Sequence, residues 1–341
     1  MSDIVERART LADEVLFPAA LDVDRSGTVP DGHWQTLADE GFYALAAPPE
    51  LGGHNLGLPE IVEILETLAG GCLATTFTWV QHHGVVMSLA TSPNAVVRDL
   101  WVADLAAGRA RGGVAFAGVV PDPPRMAAHR VEGGWRFTGD APFVSGWGIV
   151  QVLQVSAGDV ETGDVVAGLV GARKQAGITR VEPQPLVAAD ASRTVSLRLD
   201  DLFVPADRVV SRVPRPEFLA NQLIGTRLNG TLPLGLARRC ARLLDEAGHT
   251  EAAGRLRADV DDVRGRLDAG LADPTVMLAA RADGARLAHR AAAALVTAGG
   301  GPSLLRTAHA QRLAREAIFT LVAASRPELK AALLDGFTDP G

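Results

Sequence analysis

An aromatic ring and a hydroxyl, two residues apart, interrupt what otherwise reads as a strand. In the stretch GGWRFTGDAPFVSGWG, residues 133–148, alternation gives way to Pro142, Phe143, Val144, Ser145 and Gly146. A ring offers a stacking face, and a hydroxyl offers one donor and two acceptor sites. Together they suit a flat ligand with polar edges; the plain alternative is a loop between two strands. Other reactive types are sparse. His82 and His83 in TTFTWVQHHG point about 100° apart on a helix, which suits no chelate. His249 and His289 lack metal-ligand spacing, so no metal is expected. Cys72 and Cys240 are far apart and read as small hydrophobes, not as a disulfide or a nucleophile.

These residues belong to a chain of 341 residues, 47% hydrophobic and 21% charged. That describes a folded protein of two or three units. A net charge of −7 argues against a nucleic-acid partner, though not against one anionic ligand in a local arginine pocket. No apolar run reaches bilayer length, and MSDIVERART lacks the basic start and apolar block of a secretory signal, so a cytoplasmic protein is expected.

The elements that must position the ring and hydroxyl fall into three regions, giving an α+β fold class. Residues 1–111 read as helical. WQTLADEGFYAL places Trp34, Leu37, Ala38, Phe42 and Leu45 near one face, broken by Gly41. PPELGGHN is turn chemistry. LPEIVEILETLAGG sets Ile61, Leu65 and Leu68 on one side and leaves Glu60, Glu63 and Glu66 largely solvated, and an apolar helix runs from about Ala74 to Leu89. Residues 112–212 are short β-forming segments separated by Gly, Asp and Pro. Val195, Leu197 and Leu199 alternate there with Ser196, Arg198 and Asp200, as in a half-buried strand. Residues 213–341 return to helix, with expected helices ending at Gly248, running from Leu304 to about Val322, and running from Pro327 to Leu334.

This order, with several motifs in sequence, resembles the acyl-CoA dehydrogenase family over nearly the whole chain. WQTLADEGFYALAAPPELGGHNLGLPEIVEILETLA is similar to its opening signature, Glu-Leu-Gly-Gly included. GGWRFTGDAPFVSG is similar to the segment carrying Gly-x-Lys-x-Trp-Ile-Thr/Ser. TVSLRLDDLFVPADRVV resembles the strand leaving the β-domain, and LPLGLARRCARLLDEAG and QRLAREA resemble the first long C-terminal helix and the Arg-Asp-Ala helix. The resemblance implies an N-terminal helical bundle, a middle β-barrel and a C-terminal helical bundle that carries the oligomer contact. It also implies FAD between the β-domain and the C-terminal bundle, an acyl-CoA thioester against the flavin, and α,β-dehydrogenation. The cofactor would carry the redox step and the protein placement, hydrogen bonds and a base.

On this resemblance Ser145 stands where a Thr or Ser bonds the flavin, Phe143 where a Trp packs beside it, and Val144 lies between them. Phe116, Ala117 and Gly118 replace Leu/Val-Thr-Glu on the other flavin strand, leaving backbone contact without the Thr hydroxyl. Gly299 and Gly300, with Gly301, resemble the glycine turn that approaches a neighbour's adenosine, but Val296 replaces the expected Gln. Arg-x-x-Phe-Gly, which helps hold the pyrophosphate across a dimer, has no counterpart after LLDEAGHTEAAGRL. Trp79 and His83, four residues apart, either line the acyl chain or pack in the core. Arg227 matches an Arg beside the substrate.

The base is missing. Removing a proton next to a thioester calls for a carboxylate in a dry cleft. At the family's Ile-Tyr-Glu-Gly-Thr position the chain has Ala323; at the alternative position, before Arg227, it has Gly225 or Thr226. Glu328 could serve only by a shifted register, and Ser325 with Glu328 reads as a capping box after which Pro327 starts a helix. Glu316 reads as a helix-surface or interdomain ion pair. Short, base-less chains of this kind resemble partner subunits of hetero-oligomeric actinobacterial acyl-CoA dehydrogenases acting on bulky, steroid-like thioesters. The readings left open are such a subunit in lipid metabolism, a self-sufficient dehydrogenase with an unexpected base, a monooxygenase of the same fold using reduced flavin and O2, and a non-catalytic scaffold.

Overall fold

The computed structural model describes residues 3–338. Asp3–Thr10 (α1), a π-helical turn at Leu11–Leu16 and Phe17–Ser26 (α2) form one nearly continuous helix. Ile4, Val5, Ala8, Leu11, Ala12 and Leu16 recur at helical spacing along it and are all buried. Asp31–Asp39 (α3) turns Trp34 and Leu37 inward, while Phe42 and Leu45 follow in buried coil beyond it. The Glu-Leu-Gly-Gly stretch makes a 3-10 turn, in which Gly52 adopts φ +79. A Cβ at Gly53 would stand 1.9 Å from the Ala47 carbonyl oxygen, so this turn admits no side chain there. Leu58–Gly71 (α4), Leu73–Ala90 (α5) and Ala95–Ala106 (α6) complete the N-terminal group.

Eight strands then form one mixed sheet: Gly112–Ala115 (β1), Met126–Val131 (β2), Gly134–Val144 (β3), Val152–Asp159 (β4), Val165–Gly171 (β5), Ile178–Pro183 (β6), Val195–Pro205 (β7) and Val209–Val213 (β8). Their order is β6-β7-β3-β2-β4-β5-β8, with β1 parallel to β4. Val195, Leu197 and Leu199 point into the sheet's core and Ser196, Arg198 and Asp200 away from it, as the alternation requires.

The C-terminal helices are Arg215–Ala220 (α7), Gln222–Glu246 (α8), Thr250–Ala269 (α9), Pro274–Gly299 (α10), His309–Val322 (α11) and Pro327–Thr338 (α12). Asp273 caps α10 by accepting the Thr275 N–H at 2.9 Å, with Pro274 in the first turn. The helix expected from Leu304 begins only at His309, because Gly301–Leu304 makes a separate 3-10 turn. Residues of α1–α5 and α8–α11 share one hydrophobic core, so both helical groups form a single body.

Two carboxylates of that body are buried against expectation. Glu66 of α4, expected in solvent, is buried because Arg238 of α8 and Arg264 of α9 donate to it at 2.9 and 2.8 Å. Glu316, expected on a surface or between domains, is instead enclosed within α11, with both its oxygens 2.7 Å from Arg312 Nη1. No helix among the described residues is long and apolar enough to cross a membrane.

Candidate functional site

The interruption in β3 is a bulge. Between Ala141 and Val144 the register against β7 shifts, and Phe143 adopts φ +52. A bulky side chain in that left-handed backbone costs roughly 1–2 kcal/mol, and it persists only where the surroundings impose it. The bulge turns Val144 inward and leaves the Phe143 ring 67% exposed. Ser145 is buried, its Oγ 2.7 Å from Thr194 Oγ1, which lies 2.9 Å from Ser192 Oγ. Three hydroxyls carry three protons and two bonds engage two, so one of the three O–H groups has no acceptor among the described residues. Ser192 and Thr194 carried no signal in the sequence, since they enter through a crossing loop whose Ser192 carbonyl accepts the Gly146 N–H at 2.7 Å.

Phe116, Ala117 and Gly118 follow β1 and adjoin this end of β3. A Cβ on Gly118 would approach the Asp140 carbonyl oxygen to 2.5 Å and Met126 Cγ to 2.4 Å; one on Gly113 would sit 3.5 Å from the Ser145 carbonyl oxygen. The fold therefore packs Gly118 against β3 at Asp140 and sets β1 beside the Ser145 backbone, so that Phe116–Gly118 and Phe143–Ser145 lie on neighbouring segments. Gly299 and Gly300 are exposed at the end of α10, where Gly300 has φ 59 and ψ −148.

A flat ring finds an exposed aromatic face and open backbone here. The phosphate end of a dinucleotide finds less. Only Ala247, Gly248 and His249 join α8 to α9, and the arginines just beyond are taken, Arg255 by Glu251 and Arg257 by Asp245. Buried phosphate needs cations or free N–H groups. The residues present suit a flat ring such as that of a flavin, and among the described residues the α8–α9 connection offers no unpaired arginine for a pyrophosphate.

On α5, the Trp79 indole N–H donates to the Phe42 carbonyl at 3.0 Å, and the His83 ring meets it edge-on at 4.5 Å. His82 accepts the Gly112 N–H at Nδ1 (3.0 Å), so its proton sits on Nε2 and is donated to the Tyr43 carbonyl (3.1 Å). Trp79 thus belongs to the N-terminal core, and His83 packs on it with an enclosed, unpartnered Nε2. Burial holds His82 well below the usual imidazole range, with His83 adding to the effect, and burial pushes His83 down to about 4. An unfolded imidazole takes up its proton near pH 6.5, the folded His83 only near 4, so acid favours unfolding across that window. His83→Gln is expected to flatten the fall in stability between those pH values by about 2–3 kcal/mol, read from denaturant curves at each pH.

Arg227 is fully enclosed. It donates to Asp268 (2.8 Å) and Thr231 (2.7 Å), so its charge is balanced inside the bundle and not turned to a ligand. Ala323 ends α11, and its carbonyl accepts from Arg281 Nη2 at 3.2 Å, as does that of Thr320 at 3.0 Å. Burial brings Arg281 down to about 10, which still leaves it cationic at neutral pH. Arg326, three residues on, donates to Thr226 at 3.2 Å. The turn after α11 is therefore held by Arg281 and flanked by Arg326, and it favours negative charge over proton uptake. Glu328 is exposed in the first turn of α12. The expected capping box is not formed: the Ser325 hydroxyl faces the Arg326 carbonyl at 3.5 Å.

Ala324 has φ +51, so the turn keeps the backbone of a glycine with alanine in its place. Ala324→Gly is expected to stabilise the chain by about 1 kcal/mol in denaturant unfolding, with the difference seen mainly in the unfolding midpoint.

Comparison with known proteins agrees with this architecture. Residues 2–109 match the acyl-CoA dehydrogenase N-terminal domain family. The 3-sulfinopropanoyl-CoA desulfinase of Paraburkholderia xenovorans is 25% identical over 287 residues, covering 81% of this chain and 73% of that protein. Among solved structures, butyryl-CoA dehydrogenase from Megasphaera elsdenii superposes with a TM-score of 0.84 at 15% identity, covering 99% of this chain and 98% of the other. Methanesulfinate monooxygenase from Pseudomonas fluorescens gives a TM-score of 0.80 at 17% identity, covering 100% and 98%.

Proposed function

We propose that this chain, whose residues 2–109 match the acyl-CoA dehydrogenase N-terminal domain family and whose fold is that of butyryl-CoA dehydrogenase, is a member of that family and a flavin-binding, base-less subunit of an assembly that dehydrogenates an acyl-CoA thioester. A second acyl-CoA dehydrogenase-like chain supplies the carboxylate and the grip on the FAD pyrophosphate. Phe143 carries this reading: a strained bulge that holds an aromatic ring out from the sheet is explained by a flat ligand lying against it. Phe143 and the backbone of Phe116–Gly118 then hold the ring, and the Ser145 hydroxyl, accepting from Thr194, donates to its polar edge. Gly299 and Gly300 meet the neighbour's adenosine. When bound, the flavin supplies acceptance of hydride. This chain's own part is to orient the ring and exclude water, because Ala323 offers no proton acceptor. We place the assembly in cytoplasmic lipid metabolism.

The arginine-lined turn also favours a second reading, chemistry that does not begin by removing an α-proton. The similarity to a desulfinase and a monooxygenase is in keeping with it. Anaerobic titration of the assembly, co-purified from its native host, separates the two. Bleaching of the flavin by a saturated acyl-CoA supports dehydrogenation. Unbleached flavin, with an oxygenated product formed from reduced flavin and O2, overturns it in favour of the second.

A further inference from the structure

We infer that Arg215 is a positioning residue for the flavin site: it locks the loop after β1 in the peptide orientation that turns amide donors toward the ligand. The inference rests on the flavin reading above. Arg215 opens α7, immediately past the sheet, and its guanidinium donates to three consecutive carbonyls, Val119 (2.7 Å), Val120 (2.9 Å) and Pro121 (2.8 Å). In a trans peptide the C=O of one residue and the N–H of the next point in opposite directions. Gathering these oxygens on the Arg215 side sends the N–H groups of Val120 and Asp122 to the other side, while Pro121 has none. Neither amide meets an acceptor among the described residues.

Three converging carbonyl dipoles repel one another, and the arrangement holds only with a cation among them. Arginine's planar fork suits several acceptors at once, as a lysine ammonium does not. The rest of the loop has little slack. Val119 is buried, and the Gly118 carbonyl accepts the N–H groups of Arg125 and Met126 at 2.7 and 3.2 Å. Arg215 is thus the contact through which the first turn of the C-terminal helices sets the shape of a sheet-domain loop.

The test compares the wild-type chain with Arg215→Gln and Arg215→Lys, each full-length and in the assembly with its partner, by amide hydrogen exchange and by titration of the flavin-stripped assembly with FAD, followed as quenching of flavin fluorescence. In Arg215→Gln the Val119, Arg125 and Met126 amides are expected to exchange about tenfold faster, with β3 and β7 amides unchanged, and the Kd for FAD to rise about tenfold. Arg215→Lys is expected to fall between. Unchanged loop exchange overturns the inference, and so does a loosened loop with an unchanged Kd, because a purely structural clasp gives that result. If Arg215→Gln also loosens β3 and β7, Arg215→Lys decides: an intact sheet with a raised Kd supports the role, and an unaltered Kd ends it. A wild-type assembly, with its partner chain present, that never quenches FAD removes the flavin reading itself, and loop exchange then marks Arg215 as a clasp without a ligand.

Discussion

Purified by itself, the chain is expected to hold FAD at least about 100-fold more weakly than the assembly with its partner does, and to emerge from gel filtration nearly colourless. The argument is electrostatic. A pyrophosphate leaves water only in exchange for cations or N–H groups, and each such charge-assisted hydrogen bond contributes about 1.5–3 kcal/mol. Loss of two of them is worth roughly 10²- to 10⁴-fold in affinity. The three-residue connection between α8 and α9 leaves no room for a phosphate-holding loop, and the neighbouring Arg255 and Arg257 are bound to Glu251 and Asp245. The ring-facing residues remain, so the assembly is expected to be yellow. Equilibrium dialysis of the chain with and without its partner measures the ratio directly.

Arg312→Met is expected to cost about 3–5 kcal/mol of folding free energy, a large part of the 5–15 kcal/mol typical of a folded domain. Glu316 has both oxygens on Arg312 Nη1 and lies buried, while Phe17 stacks on His309 at 4.0 Å and lies under Arg239, 4.3 Å from its ring centroid. Without Arg312 the carboxylate is left enclosed and unpaired. Arg312→Met with Glu316→Leu, which removes both charges, should recover most of the loss. The pH dependence identifies the cause. Burial raises the Glu316 carboxyl above its ordinary value even against the opposing pull of Arg312, and more so once Arg312 is gone. A folded-state pKa above the unfolded one means that stability is fullest in acid and falls as pH rises through the shifted value. The deficit of Arg312→Met relative to wild type should therefore shrink toward pH 4 and be complete at neutral pH. Paired denaturant curves across that range decide it.

What the sequence disclosed followed the range of the interactions involved. The alternation of Val195, Leu197 and Leu199 depends on the strand alone, and it appears in β7 as read. Glu66 was misjudged because the helix pattern around it is locally that of a solvated face; its partners Arg238 and Arg264 lie 172 and 198 residues away. Arg227, expected beside a substrate, is paired in the bundle for the same reason, since only folding brings Asp268 against it. Phe143 and Ser145 drew notice as a break in rhythm, but the φ of +52 and the hydroxyl chain through Thr194 and Ser192 arise where β7 and its approach loop cross β3. Ala324 shows the converse: its left-handed turn persists although the residue no longer favours it, because Arg281 holds the carbonyls on its N-terminal side.

The central claim is that this chain faces a flavin ring without holding the whole cofactor, and counting flavins per polypeptide in the natively purified assembly tests it most directly. The account predicts two unlike chains and fewer flavins than chains, with the colour lost when they are separated. A homo-oligomer of this chain carrying one tightly bound FAD in every subunit would contradict it.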